Sequence, residues 1–346
     1  MNHCLATTRR LPAEWEPQDA ILLAWPHEQT DWQPFLDQVT DVYIELIRQL
    51  SRFEIVIIIA PDVTIVRDTL ERANVDFTRI LLQQIDTDDT WIRDFGPLTI
   101  YNDTQPQLLD FNFNGWGLKF PADKDNQSTQ SLHNTKIFQH ITRQPIDMVL
   151  EGGSIESDGC GTLLTTTACL LNPNRNPHLD RKILESELSK QLGVDHFLWL
   201  DHGWLVGDDT DSHIDTLARL GPDNTIFYVQ CDSVEDEHYP ALKKMEQQLK
   251  QFKTKSGEPF RLLPLPWPQA CYDCRDRLPA SYANFLIINK AILVPTYNDP
   301  ADTLAVKILG KAFPNREIIG IDCRPLIKQH GSLHCITMQL PQGVLS

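Results

Sequence analysis

The chain has 346 residues, 41% hydrophobic and 23% charged, with a formal net charge of -16. This is an ordinary globular composition with enough chain for a sizeable core. Its acidity argues against a nucleic-acid partner, which needs clustered Lys and Arg, and favours a cationic substrate through long-range attraction. No apolar run approaches the ~20 residues of a membrane-spanning helix, so no membrane partner is expected. The first residues, "MNHCLATTRRLPAEW", hold no apolar stretch of the kind that an export signal carries. Eight cysteines without regular spacing do not form a disulfide framework. A cytoplasmic location with reduced thiols follows as the expectation. A homo-oligomer is compatible with the sequence, which does not specify one.

In chain order, "AILLAWPHEQTDW" reads as a strand and a polar turn, followed by the helical pattern "PFLDQVTDVYIELIRQL" and the strand "FEIVIIIA". "DDTWIRDFGP" then gathers Asp89, Trp91, Arg93 and Asp94 before a Gly-Pro turn. Charges beside a tryptophan need partners away from water, and an Arg93–carboxylate pair is the plain structural alternative to catalysis. The polar segment from Pro121 to Gln130 reads as a solvated surface loop and as the first guess for a mobile one. "LEGGSIESDG" sets Glu151 before two glycines that let a backbone or ligand approach closely.

The strand–turn–helix–strand unit recurs. "TACLLNPNRNP" leads through "HLDRKILESELSKQLG" to "HFLWLDHG", and "AILVPTYNDP" leads through "ADTLAVKILGKAF" to "REIIGIDC". A looser copy runs from "TIFYVQCD" to "FRLLPLP", and Asp89 to Leu150 is a candidate fifth without an evident helix. An ordinary doubly wound sheet also alternates strands and helices, but no glycine-rich phosphate loop follows the first strand. Self-similar units suggest radial repetition of small αβ blades instead. A site on the central axis would then draw one or two residues from each unit.

"DDTDSHIDTLARL" places His213 and Asp215 on one side of an extended segment. Its acidic run lacks the spacing of a calcium loop, so catalysis is preferred over metal binding. "CYDCRDR" has Cys271 and Cys274 at C-x-x-C spacing, without the context of a redox or zinc site. In the terminal "HGSLHCITMQLP", alternation sets His334 and Cys335 on opposite faces of an extended segment. His213 is therefore the better base for Cys335, and His334 a structural residue. A thiol, a histidine and several carboxylates suit a planar cation, because guanidinium offers five N–H donors in a fixed fork.

"DTWIRDFGP", "FNFNGWG", "EGGSIESDG", "HID" and "LHCIT" resemble, in order and spacing, the motifs of the agmatine deiminase family, which is grouped with bacterial peptidylarginine deiminases. The resemblance spans nearly the whole chain. It implies an α/β fold of the pentein type, a five-bladed pseudo-symmetric αβ propeller forming one catalytic domain over residues 1–346. It implies Cys335 as nucleophile, His213 as general acid/base and Glu151 as the acid that orients and charges it. Asp94 and Asp215 match the carboxylates that grip the guanidinium, and Trp91 a wall of the site. No metal or organic cofactor is implied. The expected reaction is hydrolysis of agmatine to N-carbamoylputrescine and ammonia, a step of putrescine and polyamine biosynthesis. Peptidylarginine or arginine deimination is the alternative, and a non-catalytic guanidine- or polyamine-binding propeller a further one. The chain departs from the family at Ser212, where glycine is common, in "QHGSLHC", and at Glu156 and Ser157, where His and Val are familiar.

Overall fold

The computed structural model describes residues 9–138 and 140–345. The first eight residues, on which part of the export-signal reading rests, lie outside the described residues.

Five sheets share one pattern, in which an antiparallel strand leads a pair of parallel strands joined by a crossover. The leading strands and pairs are Met338–Pro341 with Gln18–Ala24 and Ile55–Ala60, Leu98–Asn102 with Gln105–Asn112 and Thr142–Val149, and Ile155–Ser157 with Thr162–Thr166 and His196–Leu200. The other two are Ala218–Gly221 with Thr225–Val229 and Arg261–Leu265, and Leu286–Ile288 with Ala291–Thr296 and Glu317–Asp322. Ile80–Gln84 extends the first sheet and Arg9–Arg10 the second.

Each crossover carries a helix: Leu36–Leu50, Ser128–His133, Arg181–Leu192, Tyr239–Leu249 or Asp302–Ala312. The segment from Asp89 to Leu150 is thus a true fifth unit. Its helix escapes sequence reading because it is only six residues long, too short to show a 3.6-residue period. By contrast, Leu36–Leu50 buries Val39, Val42, Tyr43, Leu46, Ile47 and Leu50, a stripe at helical spacing. Arg181–Leu192 is bounded by the Asp180 side chain, which accepts from Ile183 N–H at 2.9 Å, and by Gly193 at φ 69°. The strand "IVIIIA" is buried almost throughout, as a parallel strand covered on both faces must be.

Pairing of Met338–Pro341 with Gln18–Ala24 joins the two ends of the chain in one sheet. No helix among the described residues is long and apolar enough to cross a membrane. Among the described residues, Cys169, Cys231, Cys271, Cys274, Cys323 and Cys335 are free thiols. Cys271 and Cys274 sit on a small hairpin of Cys271–Asp273 with Asp276–Leu278, Cys274 being in its turn at φ 53°.

Ile57 lies fully buried in the middle of the first sheet. Ile57→Ala is expected to destabilise the protein by about 2–5 kcal/mol, read as a lower midpoint of chemical denaturation.

Candidate active site

The polar outliers of the sequence sit in the turns that precede the leading strands, one turn to each sheet. Trp91 and the short helix Ile92–Phe95 precede Leu98–Asn102, and Glu151 with Gly152–Ser154 precedes Ile155–Ser157. His213 and the 3₁₀ turn Ile214–Thr216 precede Ala218–Gly221. Asn284 precedes Leu286–Ile288, and Cys335 precedes Met338–Pro341. Three of these turns line one cavity, with Trp91, Asp94, His213, Asp215 and Cys335 beside Trp116, and the other two, at Glu151 and Asn284, stand behind these residues.

Two local expectations are corrected. Leu333–Ile336 is a turn rather than extended chain, closed by Thr337 N–H on the His334 carbonyl at 3.1 Å. His334 and Cys335 therefore do not face apart: His334 Nδ1 lies 2.8 Å, and Cys335 Sγ 3.8 Å, from the same Asp215 Oδ2. His213–Asp215 is likewise a 3₁₀ turn, yet it does bring the two side chains together. A Cβ placed on Gly153 would lie 2.7 Å from His213 Nδ1, 2.8 Å from Asp94 Oδ1 and 3.1 Å from Asp215 Oδ2. Glycine is required there because these three groups already fill the space.

Asp94 accepts from Trp116 Nε1–H at 2.9 Å and from Gly153 N–H at 2.9 Å. Burial, and then the Asp215 charge, still hold its carboxyl well above the usual range. Burial alone raises the Asp215 carboxyl, but His334 more than reverses this and keeps it low. Asp215 Oδ1 and His213 Nε2 are buried without a hydrogen-bond partner. His213 is pushed down to about 3 by burial, against the opposing pull of Asp215, so its ring is neutral. The Cys335 thiol is pushed far up, by burial first and then by Asp215 and Asp94.

Glu151 is fully buried and bonds to Arg175 Nε at 3.1 Å, with an oxygen within 4.8 Å of a His213 ring nitrogen. Trp91 packs against Gly331, where a Cβ would lie 2.2 Å from its ring. Among the described residues, Arg93 has no carboxylate in ion-pair contact. It instead pins the Cys335 turn, its backbone N–H reaching the Cys335 carbonyl at 3.2 Å and its Nε the His334 carbonyl at 3.3 Å.

Several contributors escaped the sequence reading. Asn284 Nδ2 lies 3.3 Å from Cys335 Sγ. Its signal was positional, since "SYANFLII" is the turn before the fifth leading strand. Asp125 lies in the stretch read as a solvated loop, yet it is buried and accepts from Asp88 N–H at 2.7 Å. That segment is therefore tied to the backbone at Asp88 and Asp89, the latter a residue of the cavity wall. Among the described residues, the acidic run at 208–211 forms no cluster with the spacing of metal ligands. Asp208 accepts from Ser212 N–H at 2.6 Å and Asp211 pairs with Lys119 at 2.9 Å. Among the described residues, Glu151/Cys169/His213 and Glu14/Glu156/His334 have the spacing of metal ligands, but a guanidinium already stands in each: Arg175 on Glu151, Arg219 on Glu14 and Glu156.

The cavity thus brings a buried thiol and a neutral imidazole together beside two carboxylates. The family model for Porphyromonas-type peptidyl-arginine deiminase matches residues 10–341. Pseudomonas aeruginosa agmatine deiminase is 33% identical over 96% of this chain and 95% of its own. A Campylobacter jejuni agmatine deiminase with substrate bound is 40% identical, with a TM-score of 0.90 and 97% of both chains covered. A Porphyromonas gingivalis structure, provisionally named an arginine deiminase, is 48% identical, with a TM-score of 0.92 over 97% of this chain and 99% of that one. A dimethylarginine dimethylaminohydrolase, 10% identical with a TM-score of 0.51, shares the pentein fold alone. The chain belongs to the Porphyromonas-type peptidyl-arginine deiminase family, a family of enzymes that hydrolyse guanidine C–N bonds.

Because the resting thiol titrates far above its ordinary value, iodoacetamide labelling of Cys335 should be slow at pH 7. It is expected to keep rising through pH 9 without a plateau, as read by mass spectrometry of the Cys335 peptide. A plateau below pH 8 contradicts these electrostatics.

Proposed function

We propose that this chain is an agmatine deiminase, and that its cavity takes a guanidinium at one end and an ammonium at the other. The observation that carries this reading is the lining: six aspartates, Asp31, Asp89, Asp94, Asp208, Asp209 and Asp215, and no Lys or Arg. A free arginine would bring an α-carboxylate into this field with no cation to meet it, whereas agmatine brings a second positive charge.

The resting site is electrically incomplete. Asp94 and Cys335 hold protons and His213 lacks one. A guanidinium between Asp94 and Asp215 supplies the missing charge, favouring both carboxylates and the thiolate. The Cys335 thiolate attacks the guanidinium carbon, and the thiol proton passes by way of His213 to the departing nitrogen, which leaves as ammonia. A covalent S-alkylthiouronium remains on Cys335. His213 then takes a proton from water as the oxygen attacks the same carbon, and the C–S bond breaks to return the thiol. Guanidinium and water thus become ureide and ammonium, with agmatine giving N-carbamoylputrescine. Glu151 supports the charged form of His213, Trp91 walls the guanidinium, and no metal or organic cofactor enters these steps.

The five turns also support a closed five-bladed propeller around the site, forming one catalytic domain over residues 1–346. A cytoplasmic location draws support from the six free thiols among the described residues.

The likeness to the P. gingivalis structure gives the second reading, arginine as substrate. Ammonia release from agmatine, free arginine and a blocked arginine peptide decides between the two, with Cys335→Ser as control. The expected result is turnover of agmatine by about 100-fold or more over arginine in kcat/KM, lost in the variant. Turnover of the peptide alone keeps the chemistry and overturns the substrate. Silence on all three by folded protein favours a binding propeller.

A further inference from the structure

Beneath the cavity lies a set of charges that these steps do not use. Arg219 is fully buried and pairs on one side with Glu156 and on the other with Glu14, whose Oε2 lies 2.7 Å from the guanidinium. The same Glu14 oxygen lies 2.8 Å from His334 Nε2, and Asp215 Oδ2 lies 2.8 Å from His334 Nδ1. The order Glu156, Arg219, Glu14, His334, Asp215 alternates in sign along its whole length. Glu14 and Asp215 are both held ionised by their partners, and a carboxylate at each ring nitrogen is met by a donor only where both nitrogens carry hydrogen, as in an imidazolium. The remaining hydrogen bonds brace the set: Leu220 N–H to Glu156 at 3.1 Å, Ile287 N–H to Glu14 at 2.6 Å, and His334 N–H to Asn284 Oδ1 at 2.8 Å. Only the last member has an oxygen left over, Asp215 Oδ1, buried and without a partner.

Resting on the guanidinium reading above, we propose that His334 is a positioning residue: clamped by Glu14 and backed by Arg219 and Glu156, it holds Asp215 as an oriented anion whose free oxygen receives the substrate guanidinium. The incoming cation then becomes the sixth alternating charge. Arg219, Glu14 and Glu156 do not line the cavity, so they act only through His334 and Asp215. Breaking a buried alternating set costs far more than it contributes when whole, because the neighbouring charge loses its partner.

Two measurements test this. In ligand-free protein labelled with ¹⁵N-histidine, the His334 ring, assigned from the spectrum of His334→Gln, should show both nitrogens protonated at pH 7.5. A neutral ring there overturns the proposal. This readout needs no turnover, so it stands apart from the failure of the agmatine reading, which silence of the wild type on every guanidine would reveal. The second measurement is the pH profile of kcat/KM for agmatine. His334→Gln removes the cation beside Asp215, so the acid limb should move upward by about 1–3 pH units, with KM raised. A uniform loss of rate with the acid limb unmoved would make His334 merely structural and overturn the proposal. If His334→Gln does not fold, Glu14→Gln serves for assignment. Its ring resonances should move with pH between 6 and 9, where those of the wild type stay fixed, and identical behaviour in the two proteins overturns the clamp.

Discussion

Two carboxylates buried against one another, Asp94 and Asp215, set the electrostatics on which the rest of the site depends. Like charges this close and this dry cannot both ionise without a cation between them. The protein resolves the conflict unevenly. Asp215 is given His334 and stays ionised, whereas Asp94 receives the N–H groups of Trp116 and Gly153, with the neutral His213 ring 3.6 Å away, and its carboxyl is pushed well up. The same field raises the Cys335 thiol. In the proposed mechanism the site is quiet until a planar cation enters, and the cation that completes the carboxylates also creates the nucleophile. Recognition and activation are then one electrostatic event, which spares an idle thiolate from oxidation.

The scaffold explains how side chains so distant in sequence meet. Each leading strand is preceded by a turn, and these turns carry Asp94, Glu151, His213, Asp215, Asn284 and Cys335. A turn frees backbone groups that the strand ladder would otherwise occupy. Those groups are used here: Gly153 N–H on Asp94, Arg93 N–H on the Cys335 carbonyl, and His334 N–H on Asn284. Sites mounted on the ends of paired strands inherit the rigidity of the ladder while keeping hydrogen bonds to spare.

Much of this was legible in the sequence. The repeated units were readable where an amphipathic stripe ran for three turns of helix, as in Leu36–Leu50, and faded in the second unit, whose helix is six residues. The candidate residues at 94, 151, 213, 215 and 335 were visible as polar groups in or beside apolar stretches, but only the family resemblance singled them out as a set. Local geometry was less legible. Alternation along a strand was the wrong rule for "HID" and "LHC", because tertiary contacts fold both into turns. Arg219 and Glu14 gave no warning, since a lone arginine in "TLARL" and a glutamate in "AEW" look like surface charges until the fold brings them together. Glu156 looked like a departure from the family pattern, and its pairing with Arg219 supplies the physical reason for a carboxylate at that position.

The rim of the cavity adds a further constraint. Trp116, Leu118, Asp211 and Ser212 are non-glycine residues with φ between 54° and 68°, a region costly for bulky side chains. They form two loops on the site, and neither loop could keep such a conformation on local propensity alone. Lys119 ties the first loop to the second through Asp211 at 2.9 Å, Arg175 holds Asp211 from below while bonding Glu151, and Trp116 is anchored by its N–H on Asp94. The backbone strain is thus carried by the same ion pairs and hydrogen bonds that set the charge of the site. Loosening any of these links would relax a loop and change a carboxylate at once, so rim geometry and catalytic electrostatics cannot vary independently.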